Sequence, residues 1–482
     1  MSLASELKRL GRHSLVYGVG GLISRILAVL LLPLYTHYLT PANYGAIETL
    51  VALTTVLVIV LRAGISSAFF RFYFDARTPD ERVVVVRTSF WFTMTMATAG
   101  LIAGLVLAGP ISHSLNGMTP GLVRTAFVGL WAQMNYEQLT SLFRVEERSV
   151  QFALASLANV LLTVTATVLL VAVWHKGAVG VLVGNFTGTL CVYVVLLAYR
   201  RYQLGLTFNR ELFRDMNKFG MPLVPSGLAL WAINFVDRVF LNAISGAAET
   251  GRYSIGVRIS SVIVFLFTAF RTAWPAFAYS ISDDEEARRT YGFVLTYLLF
   301  VCCWLTVLLG LLAPWIVHVL TARHSYYSGS RVVPILCFAS TAYAAYTVMA
   351  IGIGRVRRTQ FNWIITGAAA ALNIGLNFAL IPPYGMMGAA IATVAAYTLM
   401  FVLMTWNAQR MYPVPYQWRR IVTLGGAAVA LTVIGKALHA PLAVAAALAV
   451  LYPLLLLPLG FYLPAERRRL LRLVPSGLRS AP

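Results

Sequence analysis

The sequence predicts an all-α polytopic membrane protein with about fourteen transmembrane helices. Two features of the composition support this: 59% of the 482 residues are hydrophobic and 11% are charged. In a soluble domain, charged residues make up about a quarter of the chain. The third observation is that the apolar residues come in runs long enough to cross a bilayer, with no polar stretch between them long enough to fold alone.

A hydropathy window of about nineteen residues places the spans along the chain. Short loops connect them, so we expect no extramembrane enzyme domain. The predicted limits are 15–38, 45–70, 84–109, 122–143, 152–174, 178–199, 221–244, 253–277, 290–312, 331–351, 361–381, 386–407, 418–438 and 441–463.

The two sides of the chain predict a direct repeat of six spans each. Gly45 matches Gly251, a G-x-x-G turn at 177–180 matches one at 385–388, and an R-x-Y motif recurs. Because six is even, both copies have the same topology, as in many transporters. The predicted domains are an N-lobe with spans one to six at 1–199, a cytoplasmic amphipathic linker at 200–220, a C-lobe with spans seven to twelve at 221–410, and appended spans thirteen and fourteen with a basic cytoplasmic tail at 411–482.

The charge distribution predicts the orientation of this multi-pass bundle. With both termini in the cytoplasm, about 27 of the 38 Lys and Arg residues fall on the cytoplasmic side and about 6 outside. The net charge of +21 is then explained by topology and by anionic membrane lipids. The basic residues are dispersed over separate loops with no folded basic domain, so we exclude nucleic acid as a partner.

Arginines inside the apolar spans are the candidate binding residues. Arg25 lies about eleven residues into the first span, a depth of about 16 Å and close to the bilayer midplane. A cation at that depth costs about 2.5–3.5 kcal/mol, so it normally faces a bundle interior or a wet cavity. Arg62, Arg258 and Arg271 repeat the pattern, although each is close enough to a span end to reach water instead. This pattern predicts transport of an anion.

Two stretches carry a family resemblance. They are "SLVYGVGGLISRILAVLLLPLYTHYLTPANYGAIETL" (Ser14 to Leu50) and "GMPLVPSGLALWAINFVDRVFLNAISGAAETGRYSIGVRI" (Gly220 to Ile259). They resemble the polysaccharide transporter family of the MOP exporter superfamily, the Wzx-like flippases of lipid-linked oligosaccharides, which are related to MurJ and to MATE exporters. The resemblance extends over essentially the whole chain. It is specific for the family and not for the substrate.

The resemblance implies a MATE-like fold and a non-enzymatic function. Such a protein transfers an undecaprenyl-pyrophosphate-linked glycan from the inner to the outer leaflet of the bacterial inner membrane, without a cofactor and as a monomer. Polysaccharide assembly proteins are candidate partners. The related MurJ flippases are similar in having cavity arginines on the first, second and eighth helices, where this chain has Arg25, Arg62 and Arg258. Guanidinium suits a diphosphate because it forms bidentate hydrogen bonds and stays charged.

Polar residues inside other spans complete the candidate site. Asp237 in span seven needs a cation, and its neighbour Arg238 is excluded on the grounds that adjacent helix positions diverge by about 100 degrees. Either Asp237 pairs with a cavity arginine and yields it to the substrate, or it forms a fixed interhelical pair. Glu137 in span four and Asn234 in span seven either face sugar hydroxyls or join helices.

Three other classes are weighed against a flippase. A MATE-type cation-coupled exporter of small molecules would favour buried carboxylates, whereas buried arginines predominate here. A membrane glycosyltransferase or polysaccharide polymerase would need acidic or histidine residues on a sizeable outer loop, and the predicted outer loops are short. A channel would need a repeated filter-like loop. The chain also has no G-x-x-x-x-G-K-[ST] motif, which argues against direct ATP hydrolysis.

Overall fold

The computed structural model describes residues 30–201, 203–356 and 361–464, and every regular element in these ranges is helical. The first nine helices are α1 (Leu32–Tyr38), α2 (Pro41–Arg62), α3 (Ile65–Asp75), α4 (Pro79–Val106), α5 (Ala108–Ser114), α6 (Pro120–Val145), α7 (Ser149–Val168), α8 (Gly177–Arg200) and α9 (Arg210–Gly220). The others are α10 (Val224–Ser245), α11 (Ala247–Ser280), α12 (Asp284–Leu320), α13 (Val333–Arg355), α14 (Asn362–Tyr384), α15 (Met386–Met411), α16 (Trp418–Ala437) and α17 (Leu442–Leu455).

Each predicted span from the third onward coincides with one of these helices and the second with two of them, and the all-α membrane class is confirmed. Ten helical stretches in the described ranges are long and apolar enough to cross a bilayer. Helices α6 and α11, at the fourth and eighth predicted spans, are 26 and 34 residues long but carry the charged candidates. Of the first span, only its end at α1 lies within the described residues.

The second predicted span is interrupted where the sequence reasoning placed one continuous helix. Ala63 and Gly64 both have left-handed backbone angles, with φ of +46° and +76°, and separate α2 from α3. A Cβ atom on Gly64 would lie 2.0 Å from the carbonyl oxygen of Gly220. The break therefore requires glycine for two reasons, its backbone angle and the close approach of α9.

The first of two compact units comprises residues 1–255, 318–329 and 362–396. One hydrophobic core of this unit joins α3, α4, α6 and α8 through Phe69, Phe90, Phe143 and Tyr193, all buried. Helix α9 lies in the predicted linker and adds Met216 to this core, while its basic residues face outward on an amphipathic helix. Helix α10 packs against α2 and α14.

The second compact unit comprises residues 256–317, 330–361 and 397–482. Helices α12 and α13 are joined by the hydroxyls of Thr306 and Thr341, 3.0 Å apart. Trp304 on α12 donates a hydrogen bond to the Ala449 carbonyl on α17. The four cysteines of the chain are free thiols, and the three in this unit are buried, as expected of small hydrophobic residues.

Candidate functional site

Two predicted site residues, Arg62 and Glu137, form an ion pair between α2 and α6. The Nη1 atom of Arg62 lies 2.6 Å from Oε2 of Glu137. The Nη2 atom of Arg62 also donates to the Met134 carbonyl at 3.2 Å, and Gln133 donates to the other Glu137 oxygen. The side chains are 16% and 37% exposed. Hydrogen bonds to Met134 and Gln133 therefore fix the pair, while part of both side chains stays accessible.

The break after α2 explains the position of Arg62. It is the last residue of α2, because Ala63 leaves the helical conformation. The carboxyl end of a helix carries a partial negative charge, which favours a cation in the last turn. Glu137 lies on α6, a helix that packs against α2. The local backbone and the packing of two helices thus bring together residues that are 75 positions apart.

A second group of charges is buried between α2, α10 and the beginning of α11. Its residues, Glu48, Asp237, Arg238 and Tyr253, all lie in the first unit. Arg238 on α10 contacts two carboxylates: its Nη1 atom is 3.1 Å from Oδ1 of Asp237, and its Nε atom is 3.8 Å from Oε2 of Glu48. The hydroxyl of Tyr253 donates to Oδ2 of Asp237 at 2.5 Å. Two carboxylates thus share one guanidinium in a water-poor environment, where unpaired charges are costly.

The expectation that Arg238 cannot pair with Asp237 is wrong. The side chains of adjacent positions leave the helix in different directions, but the arginine side chain is long enough to bend back toward the carboxylate. Asp237 also accepts a hydrogen bond from the backbone N–H of Arg238 at 2.8 Å. The argument from helix angles considered Cβ directions and neglected the length of the guanidinium side chain.

Glu48, Arg238 and Tyr253 belong to this cluster and were missed as site residues. Glu48 could have been found, because it is the sole acidic residue in the predicted span 45–70. Arg238 was set aside by the argument corrected above. Tyr253 carries no sequence signal that distinguishes it from the many other tyrosines. Its role depends on the packing of α11 against α10.

The remaining described candidates are Asn234, which adjoins the second group, and two arginines of the second unit. Asn234 is exposed, donates to the Leu230 carbonyl at 2.7 Å, and accepts from Arg238 through its own carbonyl. In the second unit, Arg258 is partly buried, and Arg271 is exposed and donates to the hydroxyl of Tyr343 at 3.0 Å. That hydroxyl belongs to a group of aromatic rings in the same unit.

Arg25, the deepest predicted arginine, lies outside the described residues, and its role stays a prediction. Within the described ranges, no group of three or more His, Cys, Asp or Glu residues is placed to hold a metal ion. The charged side chains among the described candidates can bind ions and exchange partners. Arginines can hold an anion, and carboxylates can release or replace it.

Comparison with protein families identifies the chain. A family model described as "Polysaccharide biosynthesis protein" matches residues 10–281, more than half of the 482 residues. The chain belongs to this family. The sequence is similar to that of an uncharacterized membrane protein of Methanocaldococcus jannaschii, with 23% identity over 226 residues. That match covers 45% of this chain, and the chain spans 44% of that protein's length.

Solved structures show the fold of this family member. It is similar to lipid II flippase MurJ in an inward closed conformation, with a TM-score of 0.70 and 14% identity over 87% of this chain and 92% of that one. It is also similar to an inward-facing multidrug resistance MATE transporter of the MOP superfamily, with a TM-score of 0.66 and 15% identity. That match covers 86% of this chain and 96% of the transporter. The predicted MATE-like fold is confirmed.

Proposed function

We propose that this family member carries a polyprenyl-diphosphate-linked oligosaccharide, such as an O-antigen, exopolysaccharide or capsule repeat unit, from the inner to the outer leaflet of the bacterial inner membrane. It does so by alternating access of the predicted lobes, 1–199 and 221–410, with both termini in the cytoplasm and without covalent chemistry. Membership in a polysaccharide biosynthesis family and a fold shared with flippases and exporters support a membrane transporter.

The observation that carries the proposal is the ion pair of Arg62 and Glu137. A charge among apolar helices is costly and usually marks a pathway or a ligand site. This pair is neutral as a whole, is partly exposed, and holds its arginine through one carboxylate and one backbone carbonyl. A diphosphate carries about two negative charges and matches the two-pronged geometry of guanidinium better than a single carboxylate oxygen does.

In this proposal, the diphosphate replaces Glu137 as the partner of Arg62. The guanidinium stays paired before and after the exchange, so no step leaves an isolated cation in the membrane. Gln133 contacts Glu137 and keeps a hydrogen bond to the displaced carboxylate. Arg25, Arg258, Arg271 and Asn234 remain candidate contacts for the diphosphate or the sugars.

We infer that Asp237 is fixed in place, as in the second of its two alternatives, although its cation Arg238 lies on the same helix and its link to another helix is the hydrogen bond from Tyr253. Both of its carboxylate oxygens already accept hydrogen bonds, from Arg238 and from Tyr253. Neither partner is a predicted cavity arginine. Asp237 then supports the substrate site by holding α10 and α11 together and does not contact the substrate itself.

Transport in vesicles tests the proposal. Purified protein is placed in proteoliposomes with a fluorescent polyprenyl-diphosphate oligosaccharide, and the initial rate of flipping is measured. We expect Arg62→Ala to lower the rate at least about tenfold, since a lost charge-assisted hydrogen bond is worth about 1.5–3 kcal/mol. Arg62→Lys retains the charge without the fork and should give an intermediate rate.

The matched control is Arg420→Gln. Arg420 is also a buried arginine, but it lies on α16, one of the appended helices, where it donates to Gln417. Its replacement should leave the flipping rate within about twofold of the wild type. Full-rate flipping by a correctly inserted Arg62→Ala variant would contradict the assigned role.

One observation favours a second function, a cation-coupled exporter. Glu48 and Asp237 are two buried carboxylates that contact the same guanidinium, and buried carboxylates among membrane helices suit the transport of a proton or a cation. Accumulation of a fluorescent organic cation in cells with and without the protein separates the two functions. Export that depends on Glu48 would support the exporter, whereas unchanged accumulation supports the flippase.

A further inference from the structure

Four histidines, two tyrosines and one arginine form a continuous surface at one end of the first unit. We call this surface the outer histidine patch, because the charge distribution predicts that it faces the cell exterior. It comes from the end of α1, the turn between α7 and α8, and the last turn of α12 with the segment that follows it. Its members are His37, Tyr38, His175, His318, Arg323, His324 and Tyr327.

Ring contacts arrange the patch in two halves. Tyr38 contacts His37 and His175, with ring centroids 4.8 and 5.6 Å away. In the other half, Tyr327 contacts the two histidines of its own segment, with centroids 4.9 and 4.7 Å away. Arg323 joins the halves by donating from Nε to the His37 carbonyl at 3.1 Å. All four histidines and Arg323 are exposed.

Hydrogen bonds between residues that are not patch members hold the segment 318–329 against residues 36–39. The backbone N–H of Ala322 donates to the Thr36 hydroxyl at 3.1 Å, and Tyr326 donates to the Leu39 carbonyl at 3.2 Å. Arg252 donates to the Ser325 carbonyl at 3.0 Å. Burial raises the pKa of Tyr326, which therefore remains a neutral donor. The patch is thus a supported surface with exposed polar groups.

The charge around the patch is one-sided. Of the 17 acidic residues in the chain, Glu249 alone falls in a predicted outer loop. Its carboxylate is already used, because it accepts a hydrogen bond from the backbone N–H of Met386 at 2.7 Å. Two further cations adjoin the patch: Lys176 follows His175 in the chain, and Arg252 contacts Ser325. Of the 7 histidines in the chain, all except His13 lie on this predicted side.

We propose that the outer histidine patch binds acidic sugars, meaning glycan units that carry carboxylate groups. Guanidinium and protonated imidazole donate charge-assisted hydrogen bonds to carboxylates. The tyrosine and imidazole rings offer flat surfaces for the apolar face of a sugar ring. The inference deepens the proposed function, on which it rests for the source of the glycan, by naming the chemical class of the sugar.

The chemistry of the patch distinguishes this ligand from a neutral glycan. A neutral sugar would be bound through hydroxyls, for which carboxylates and amides are also useful partners. The patch instead concentrates donors and cations and contains no acidic side chain among its members. Histidine changes its charge in the range of about pH 5–8, so binding of a carboxylate should strengthen as the pH falls.

Direct binding tests the inference with defined probes. The full chain in lipid nanodiscs is titrated with oligouronates prepared from alginate and with neutral dextran oligosaccharides of equal length, at pH 7.5 and pH 5.5. We expect binding of the oligouronates, at least about threefold tighter at the lower pH, and none of the dextran. Arg323→Gln should weaken oligouronate binding about tenfold, the loss of one charge-assisted hydrogen bond.

A second variant avoids the hydrogen bond that anchors the segment. His175→Asn removes an exposed imidazole at a left-handed position, with φ of +48°, which asparagine tolerates. It should weaken binding at pH 5.5 more than at pH 7.5. The matched control is His113→Asn, which changes an exposed histidine of α5 that is not a patch member, and it should bind like the wild type.

Several results would overturn the inference. They are equal binding of dextran and oligouronate, unchanged binding by both patch variants, or an equal loss in the His113→Asn control. Binding of another protein at the patch without any oligouronate binding would also overturn it. These outcomes leave the proposed function intact, because that function is judged by flipping of a polyprenyl-diphosphate lipid by the wild type.

Flipping then identifies the source of the acidic sugar. If Arg323→Gln slows flipping of a uronate-bearing lipid but not of a neutral one, the patch receives the transported glycan. If it changes binding and neither flipping rate, the patch holds free acidic polysaccharide. Both results support binding of acidic sugars. If the wild type binds oligouronates and flips no polyprenyl-diphosphate lipid, the proposed function fails while the patch stands.

Discussion

Replacement of Arg238 by methionine tests whether the buried charge cluster is an obligatory unit. Arg238 is the cation that both Glu48 and Asp237 contact, at 3.8 and 3.1 Å. Methionine has a similar length and flexibility, so it fills most of the space without the charge. The variant leaves both carboxylates buried without this guanidinium, while Asp237 keeps its hydrogen bonds from the Tyr253 hydroxyl and from the backbone N–H of residue 238.

The size of the effect follows from the burial of the pair. Removing one partner of a buried ion pair costs about 3–5 kcal/mol, because the other partner keeps its desolvation cost and loses its compensation. If all three groups are neutral, no charge is buried and the desolvation cost of the charges disappears. The triple variant Glu48→Gln, Asp237→Asn, Arg238→Met should therefore lie within about 1 kcal/mol of the wild type. The triple variant should thus be more stable than the single variant, whereas adding the losses of three separate substitutions would make it less stable.

The assay is equilibrium unfolding of the purified protein by SDS in mixed micelles, followed by tryptophan fluorescence. Arg289→Gln is the matched control, since Arg289 forms an exposed pair with Glu285 at 3.4 Å, with side chains 72% and 79% exposed. Its loss should cost no more than about 0.5 kcal/mol. A single Arg238→Met variant as stable as this control, or a triple variant less stable than the single one, would refute the reasoning.

Three further predictions concern backbone contacts and hydrogen bonds. Gly64→Ala should lower the free energy of unfolding by about 1–3 kcal/mol in the SDS assay, because its Cβ would lie 2.0 Å from Gly220 O at a left-handed backbone angle; unchanged stability would show that the two segments do not meet. Gly367→Ala, in a helix and with nothing within 4 Å of the added Cβ, should instead raise stability by about 0.5–1 kcal/mol; a loss there would mean that the site is crowded. Asn242→Ala removes two hydrogen bonds that the Asn242 side chain makes with the backbone of Asn116, of 2.9 and 3.1 Å, and should lower the free energy of unfolding by about 1–3 kcal/mol. Asn116→Ala removes one hydrogen bond of its own side chain, of 2.8 Å, and should lower it less. An equal loss of stability in the two variants would contradict this prediction.

The sequence predicted the helices of this protein well because their physics is local. A bilayer requires about twenty apolar residues per span, and backbone groups within it must be paired inside the same helix. The positions of α4, α8 and α13, for example, lie within a few residues of the predicted spans. The resemblance in the first span and around Gly220 was likewise a property of residues close together in the chain, and it led to the correct family.

The break in the second span was missed because hydropathy does not report backbone angles. The run from Pro41 to Asp75 contains two glycines, Gly45 and Gly64, but glycine is common in membrane helices and is not by itself a helix end. What makes Gly64 a break is the approach of Gly220, 156 positions later. The position of Arg62 at a helix terminus follows from this distant contact.

The sequence alone determined the membrane class, the order and approximate limits of the spans, the family, and which residue types lie at a depth where charge is costly. Only the tertiary structure decided the partners: Glu137 for Arg62, and Asp237 with Glu48 for Arg238. A span is specified by the residues within it, through transfer from water to lipid. An ion pair depends on how two helices pack, and that packing is set by many contacts distributed over the whole chain.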